Sequence, residues 1–162
     1  MIGVLSDTHI PTKAKELPRE VIDGFKEVDL ILHAGDILDK SIIDKLEQIA
    51  PVFAVAGNCD PPELKEKLPI KRIVEYCGFR IGLIHGDGGV ATRLSRLLET
   101  FENDNVNAIV FGHSHRPYND RINGVLLFNP GSPTDKRYEV FYSYGLIVPQ
   151  ENKLIGKVKY FK

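Results

Sequence analysis

The chain reads as an α/β protein in which two β-sheets pack face to face with helices on the outside. Three observations predict this. Up to Asp60, continuous apolar runs alternate with segments of helical period, the pattern of parallel strands buried on both faces. Beyond Pro62, strand-like runs pair around turn sequences, which marks a mixed or antiparallel sheet. Throughout, apolar runs end in side chains able to bind a metal ion, usually beside a glycine.

The first run, Ile2 to Leu5, ends in Ser6-Asp7-Thr8-His9. In extended backbone, residues i and i+2 share a side, so Asp7 and His9 are expected to face one point beyond the strand. Ile10-Pro11-Thr12 turns the chain, and Leu17, Val21, Phe25 and Val28 follow at helical spacing. The second run, Asp29 to Ala34, closes with Gly35-Asp36. Ile42, Ile43, Leu46 and Ile49 then lie on one face of a helix that Pro51 ends. The third run, Val52 to Ala56, closes with Gly57-Asn58.

Asp60-Pro61-Pro62 opens a loop. Arg72 to Tyr76 and Phe79 to Ile84 flank Cys77-Gly78 as a hairpin, and the second arm ends in His85-Gly86. Leu94, Leu97, Leu98 and Phe101 mark a further helix. Ala108 to Phe111 leads to Gly112-His113-Ser114-His115. Asn123-Gly124 is a strong hairpin turn between Asp120–Ile122 and Val125–Phe128. Glu139 to Val148 and Lys153 to Tyr160 make the last strand pair.

Composition limits the function. With 162 residues the chain fits a single domain over 1–162 with a sizeable core. Charged residues are 27% and the net formal charge is -1, so no strong nucleic-acid surface is expected. No run approaches the ~18 apolar residues of a membrane span, and no basic n-region marks a signal peptide. Cys59 and Cys77 are too few for a disulfide framework, so a reducing cytoplasm is expected.

Parallel strands put their carboxyl ends on one edge, where α/β proteins bind ligands. The donors collected there are Asp7, His9, Asp36, Asn58, His85, His113 and His115. Seven exceed what one divalent ion takes from protein, and two ions bridged by a carboxylate suit them better. Imidazole with carboxylate favours Mn, Fe, Zn, Co or Ni over Mg or Ca, with Mn the first choice. Two divalent ions against Asp7 and Asp36 leave a site that attracts an anion, as a two-metal phosphoester hydrolase requires. The plainer roles are caps for Asp36 and Asn58 and a hydrogen-bonded core position for His85; His33, inside a strand, is expected to be structural.

Asp7-Thr8-His9, Gly35-Asp36, Gly57-Asn58-Cys59-Asp60, His85-Gly86 and Gly112-His113-Ser114-His115 resemble the five signature motifs of the calcineurin-like metallophosphoesterases, especially the small prokaryotic phosphodiesterases. The resemblance implies a four-layer αββα sandwich of two mixed sheets flanked by helices. It assigns Asp7, His9, Asp36 and His115 to one metal, and Asp36, Asn58, His85 and His113 to the other, with Asp36 bridging. It implies hydrolysis of a small phosphodiester by a metal-bridging hydroxide, with Asn58, His85 and Asp36 in catalytic roles and Asn58, Cys59 and Asp60 beside the substrate. Many members have histidine where this chain has Cys59, and that histidine is proposed to protonate the leaving group. Arg93, Arg96 and Arg116 follow motif loops and are candidates for substrate contact or for solvation. The alternatives are a phosphomonoesterase or nuclease, or a protein-binding scaffold like the retromer subunit of this fold. The natural substrate, the resident metal and whether the chain forms a homo-oligomer are open at this point.

Overall fold

A computed structural model describes residues 1–89 and 93–162. The strands β1 (Ile2–Leu5), β2 (Leu30–His33) and β3 (Val52–Ala54) alternate with the helices α1 (Arg19–Gly24) and α2 (Lys40–Glu47). Next come α3 (Pro62–Lys65), β4 (Lys71–Tyr76), β5 (Phe79–Ile84), α4 (Leu94–Thr100) and β6 (Ala108–Val110). The chain closes with β7 (Tyr118–Ile122), β8 (Val125–Asn129), β9 (Tyr142–Gln150) and β10 (Lys153–Phe161).

Two mixed five-stranded sheets result, in the orders β10-β9-β1-β2-β3 and β4-β5-β6-β8-β7. In the first, β1, β2 and β3 are parallel, and β9 joins β1 antiparallel. In the second, β5, β6 and β8 are parallel, with β4 and β7 antiparallel at the edges. Parallel register brings the carboxyl ends of β1, β2, β3, β5 and β6 to one rim, where the donor motifs begin.

Continuous apolar runs give each sheet two buried faces. Ile2, Val4, Leu32, Ile81, Leu83, Val110 and Phe128 fill the space between the sheets. Outside the first sheet, Leu5 and Ile31 meet Val21 and Phe25 near α1, Ile42 and Leu46 of α2, and Leu64 of α3. Outside the second, Ile109 and Leu127 meet Leu97 and Phe101 at α4. This is the expected helix–sheet–sheet–helix layering.

Two elements differ from the sequence reading. The α3 turn occupies what reads as loop, because Pro62 at its first position supplies a φ already suited to helix. Residues 139–141 stay outside β9, which starts at Tyr142. They belong to a connection that crosses the rim of the donor cluster.

Candidate metal centre

The structure gathers all seven donors at the shared rim, in two overlapping groups. In the first, Asp7 Oδ1 lies 3.4 Å from His115 Nε2 and 3.8 Å from His9 Nε2, and the two Nε2 atoms are 3.2 Å apart. In the second, Asn58 Oδ1 lies 3.0 Å from His85 Nε2 and 3.1 Å from His113 Nδ1. Asp36 Oδ2 stands between them, 3.5 Å from His9 Nε2 and 3.4 Å from His85 Nε2. Asp7, His9, Asp36, His85 and His115 form a buried floor. Half-buried His113 and exposed Asn58 and Cys59 make the open side.

The residues meet by a different route from the one their spacing suggests. β1 ends at Leu5, and Asp7 and His9 have left-handed backbone with φ of 55° and 44°, so strand alternation does not align them. Asp36, His113 and His115 share this conformation, with φ of 57°, 66° and 59°. Non-glycine residues pay for that geometry, and such strain concentrates at functional sites. Glycine serves close approach here. A Cβ on Gly57 would stand 2.1 Å from Asp36 Oδ1, and one on Gly112 1.8 Å from Ser6 Oγ.

Neighbouring hydrogen bonds aim each donor. Ser6 Oγ and the His113 N–H donate to Asp7 Oδ2 at 2.6 and 2.9 Å, while Asp7 Oδ1 is buried with no hydrogen-bond partner among the described residues. The Cys59 N–H donates to Asp36 Oδ1 and leaves Oδ2 facing both groups. His85 Nδ1 donates to the Ala34 carbonyl at 2.7 Å, and His115 Nδ1 to that of Asp135 at 2.6 Å. Both Nε2 atoms therefore carry lone pairs into the site when the rings are neutral.

The same burial sets the charges. It raises the Asp7 carboxyl to about 7, only partly offset by the positive charge of His85 and the bond from Ser6. Burial also works against charge on Asp36, but the bond and charge of His85 outweigh it and hold Asp36 below its ordinary value. Burial opposes charge on His85 as well, yet Asp36 and Asp7 raise it to about 9. Burial lowers His9 and His113, and takes His115 down to about 4 against the pull of Asp135.

Other candidates lie elsewhere. Sequence reasoning puts Asp60 beside the substrate, and here the structure corrects it. Asp60 is 3% exposed. Its two oxygens accept four backbone N–H groups, from Asp36, Ile37, Leu38 and Gly57. No lone pair is left for a substrate, and Asp60 instead staples the two loops that present Asp36 and Asn58. Cys59 is exposed, its sulfur accepting from Asn58 Nδ2 at 3.3 Å. Desolvation, with Asp36 nearby, raises its thiol to about 11. His33, expected to be structural, is fully buried with Nε2 3.1 Å from the Thr8 hydroxyl. Arg93 and Arg96 are exposed on and before α4, and Arg116 faces Glu139 at 3.7 Å.

Sequence reasoning missed the connection between β8 and β9. Ser132 Oγ donates to the Asp7 carbonyl, and Thr134 Oγ1 to that of Thr8. The one signal was a Gly-Ser-Pro-Thr stretch after a buried strand, which reads as an ordinary turn.

Comparison with known proteins gives the family. A model of the calcineurin-like phosphoesterase superfamily domain matches residues 1–152. A probable metallophosphoesterase of Methanocaldococcus jannaschii is 46% identical over 139 residues, covering 85% of this chain and 70% of that protein. A phosphodiesterase of the same organism is 27% identical over 146 residues, covering 80% and 82%. The structure of Vps29 from Chaetomium thermophilum is similar in fold, with a TM-score of 0.82 at 23% identity over 99% of this chain and 96% of that one. The match over most of the chain and the joining of its motifs in one cleft establish that the protein belongs to the calcineurin-like phosphoesterase superfamily.

Proposed function

We propose that the protein is a phosphodiesterase working with two divalent transition-metal ions. The observation that carries this reading is the Asp36 carboxylate, whose Oδ2 stands between His9 and His85 at 3.5 and 3.4 Å. Asp7, His9, Asp36 and His115 would hold one ion, and Asp36, Asn58, His85 and His113 the other. The donors fit such ions. A buried carboxylate oxygen with no hydrogen-bond partner among the described residues, Asp7 Oδ1, is costly unless a cation meets it. Two imidazole Nε2 atoms facing each other at 3.2 Å likewise suit a shared cation. Four imidazoles among seven donors favour Mn, Ni, Co, Fe or Zn over Mg or Ca, with Mn first.

When bound, the ions supply positive charge to the phosphoryl oxygens and lower the pKa of a water enough to make it a nucleophile. The chain's own residues prepare the rest. Asp36 holds both positions with one carboxylate. Asn58 offers a neutral oxygen on the open side, where it adds no negative charge to repel an anion. Beside it lies a cavity of about 280 Å³ lined by Ala56, Gly57, Asn58, Lys65, Ile70 and Asp87, with room for one arm of a small ester. The raised pKa of Cys59 makes it a weak proton donor, so the site suits esters whose leaving groups need little protonation.

The similarity to a named phosphodiesterase supports the diester reading, with a phosphomonoesterase as the alternative. The test is to strip the protein with a chelator, reload it with single metals and assay mono- and diesters. We expect no activity when stripped and diester hydrolysis restored by Mn, Ni or Co. Full rescue by Mg alone, or hydrolysis of monoesters only, would overturn the reading.

A further inference from the structure

We propose that Ile70 is a specificity-determining residue of this site, the apolar wall of a cavity that takes an uncharged ring carried by the ester. The proposal rests on the phosphoester-hydrolase reading and adds to it the chemical class of the organic group.

The cavity begins at the donor cluster. Its lining includes Asn58, whose Oδ1 lies 3.0 Å from His85 Nε2 and 3.1 Å from His113 Nδ1. Backbone on both sides fixes Ile70 beside these donors. The Ala56 N–H donates to the Pro69 carbonyl at 2.9 Å, tying residue 69 to the chain that leads into Asn58. On the other side, Lys71 pairs with Ile84 where β4 begins. Ile70 is therefore one step before that pair, at the end of β5 that leads into His85. Asp87, two residues beyond His85, completes the lining with Lys65.

The walls specify what fits. Ile70 is 73% exposed. A lone exposed isoleucine is ordinary on a protein surface; this one is set apart because it lines a cavity that reaches a donor. Ala56 and Gly57 are small and leave the space open. An apolar cavity of about 150 Å³ can hold benzene, so this one, at about 280 Å³, has room for a single ring with substituents. Lys65 Nζ donates to the Asn58 carbonyl at 2.7 Å, which commits it to the backbone of the donor loop.

Charge points to the same class of group. Lys65 and Asp87 bring one charge of each sign, so the cavity exerts no net pull on a charged arm. What remains for contact is the hydrocarbon of Ile70. An ester anchored at the donors presents its organic group to the open side, where Asn58 leads into the cavity. A ring there removes the Ile70 side chain from water, with a gain that follows the apolar area covered. A methyl group covers little of it.

The test uses the Mn-loaded full chain as wild type, Ile70→Ala and Ile70→Thr, with methylphosphonate and phenylphosphonate as non-hydrolysable ligands. Bound metal is measured first, then the affinity for each ligand by calorimetry. The ratio of the two affinities isolates the ring, because the phosphonate group is common to both. We expect phenylphosphonate to bind about 10-fold tighter in wild type, the gain from covering roughly 60 Å² of apolar surface. The ratio should fall to about 2–3-fold in Ile70→Ala, with Ile70→Thr between the two. A wild-type ratio near one, or a ratio that neither variant lowers, would overturn the proposal. Loss of metal in both variants, or failure of both to fold, would make Ile70 structural and the proposal equally wrong; if only one fails to fold, the other decides. Wild type that binds neither phosphonate and cleaves no ester would instead remove the hydrolase reading itself.

Discussion

The backbone N–H of Cys59 donates to Asp36 Oδ1 at 2.8 Å, so residue 59 positions the central carboxylate through its main chain. Its exposed side chain is touched by the amide of Asn58 and also reaches the Asp36 carboxylate. Replacing the side chain leaves the main-chain bond in place and so tests the thiol by itself. Esters of acidic phenols depart as anions, whereas alkyl esters gain about 10²–10⁴ from a placed proton donor. We expect aryl diesters to be cut far faster than alkyl diesters and Cys59→Ala to change the aryl rate little. Cys59→His should narrow the gap only modestly, because Asp60 is committed to four backbone amides and cannot orient a new imidazole. Rate ratios in the three proteins check this. Loss of aryl hydrolysis in Cys59→Ala with metals retained would give the thiol a direct chemical role.

Asp60 predicts a stability effect where the sequence suggested a binding effect. Removing its carboxylate leaves four N–H groups without an acceptor, in the loops bearing Asp36 and Asn58. At ~1–3 kcal/mol for each such buried group, less what loop relaxation recovers, Asp60→Ala should cost at least ~3 kcal/mol. Chemical denaturation measures this. A variant of normal stability with a raised KM would restore the substrate-contact role.

The metal-free protein should be most stable at about pH 6.5. Burial holds His33 at about 3 and His115 at about 4. The unfolded chain therefore takes up protons that the fold refuses, and stability falls as the pH drops below 6.5. Asp7, raised to about 7 by burial, opposes this between pH 4 and 7, but as one group against His33 and His115, with His9 and His113 lowered as well. Burial works against charge on His85, but Asp36 and Asp7 raise it to about 9. Its contribution is complete below 6.5 and is lost as the pH rises through 9. Metal uptake requires both Asp7 and His85 to lose their protons, so the loaded protein should escape the alkaline decline. Melting curves at pH 5.5, 6.5 and 9, with chelator and with Mn, test the sign. A chelated protein that melts higher at pH 9 than at pH 6.5 contradicts the assignment.

The layering and the donor cluster were legible in the sequence because both depend on strand ends. Runs such as Ile2–Leu5 and Ala108–Val110 are apolar on both faces and stop abruptly at a donor. The means by which donors meet was not legible. Alternation suggested that Asp7 and His9 align by extended backbone, whereas left-handed φ values bring them together. Asp60 was misread because a carboxylate in a motif looks like chemistry, while its four amide partners come from loops more than twenty residues away or just before it. The connection between β8 and β9 read as an ordinary turn, since its role lies in Ser132 and Asp135 bonding to distant residues, which no local pattern encodes.

In the proposed site one carboxylate, Asp36, holds two ions. Asp7 also comes near Asp36 and His85, but we assign it to one ion alone, so Asp7→Asn should mainly weaken a single site, whereas Asp36→Asn should weaken both. The most direct measurement is metal content per chain, with diester turnover, in wild type and Asp36→Asn after Mn loading. We expect two ions in wild type, near-complete loss of both in Asp36→Asn and no turnover there; an Asp36→Asn protein that keeps two ions and near-normal turnover would contradict a shared bridge.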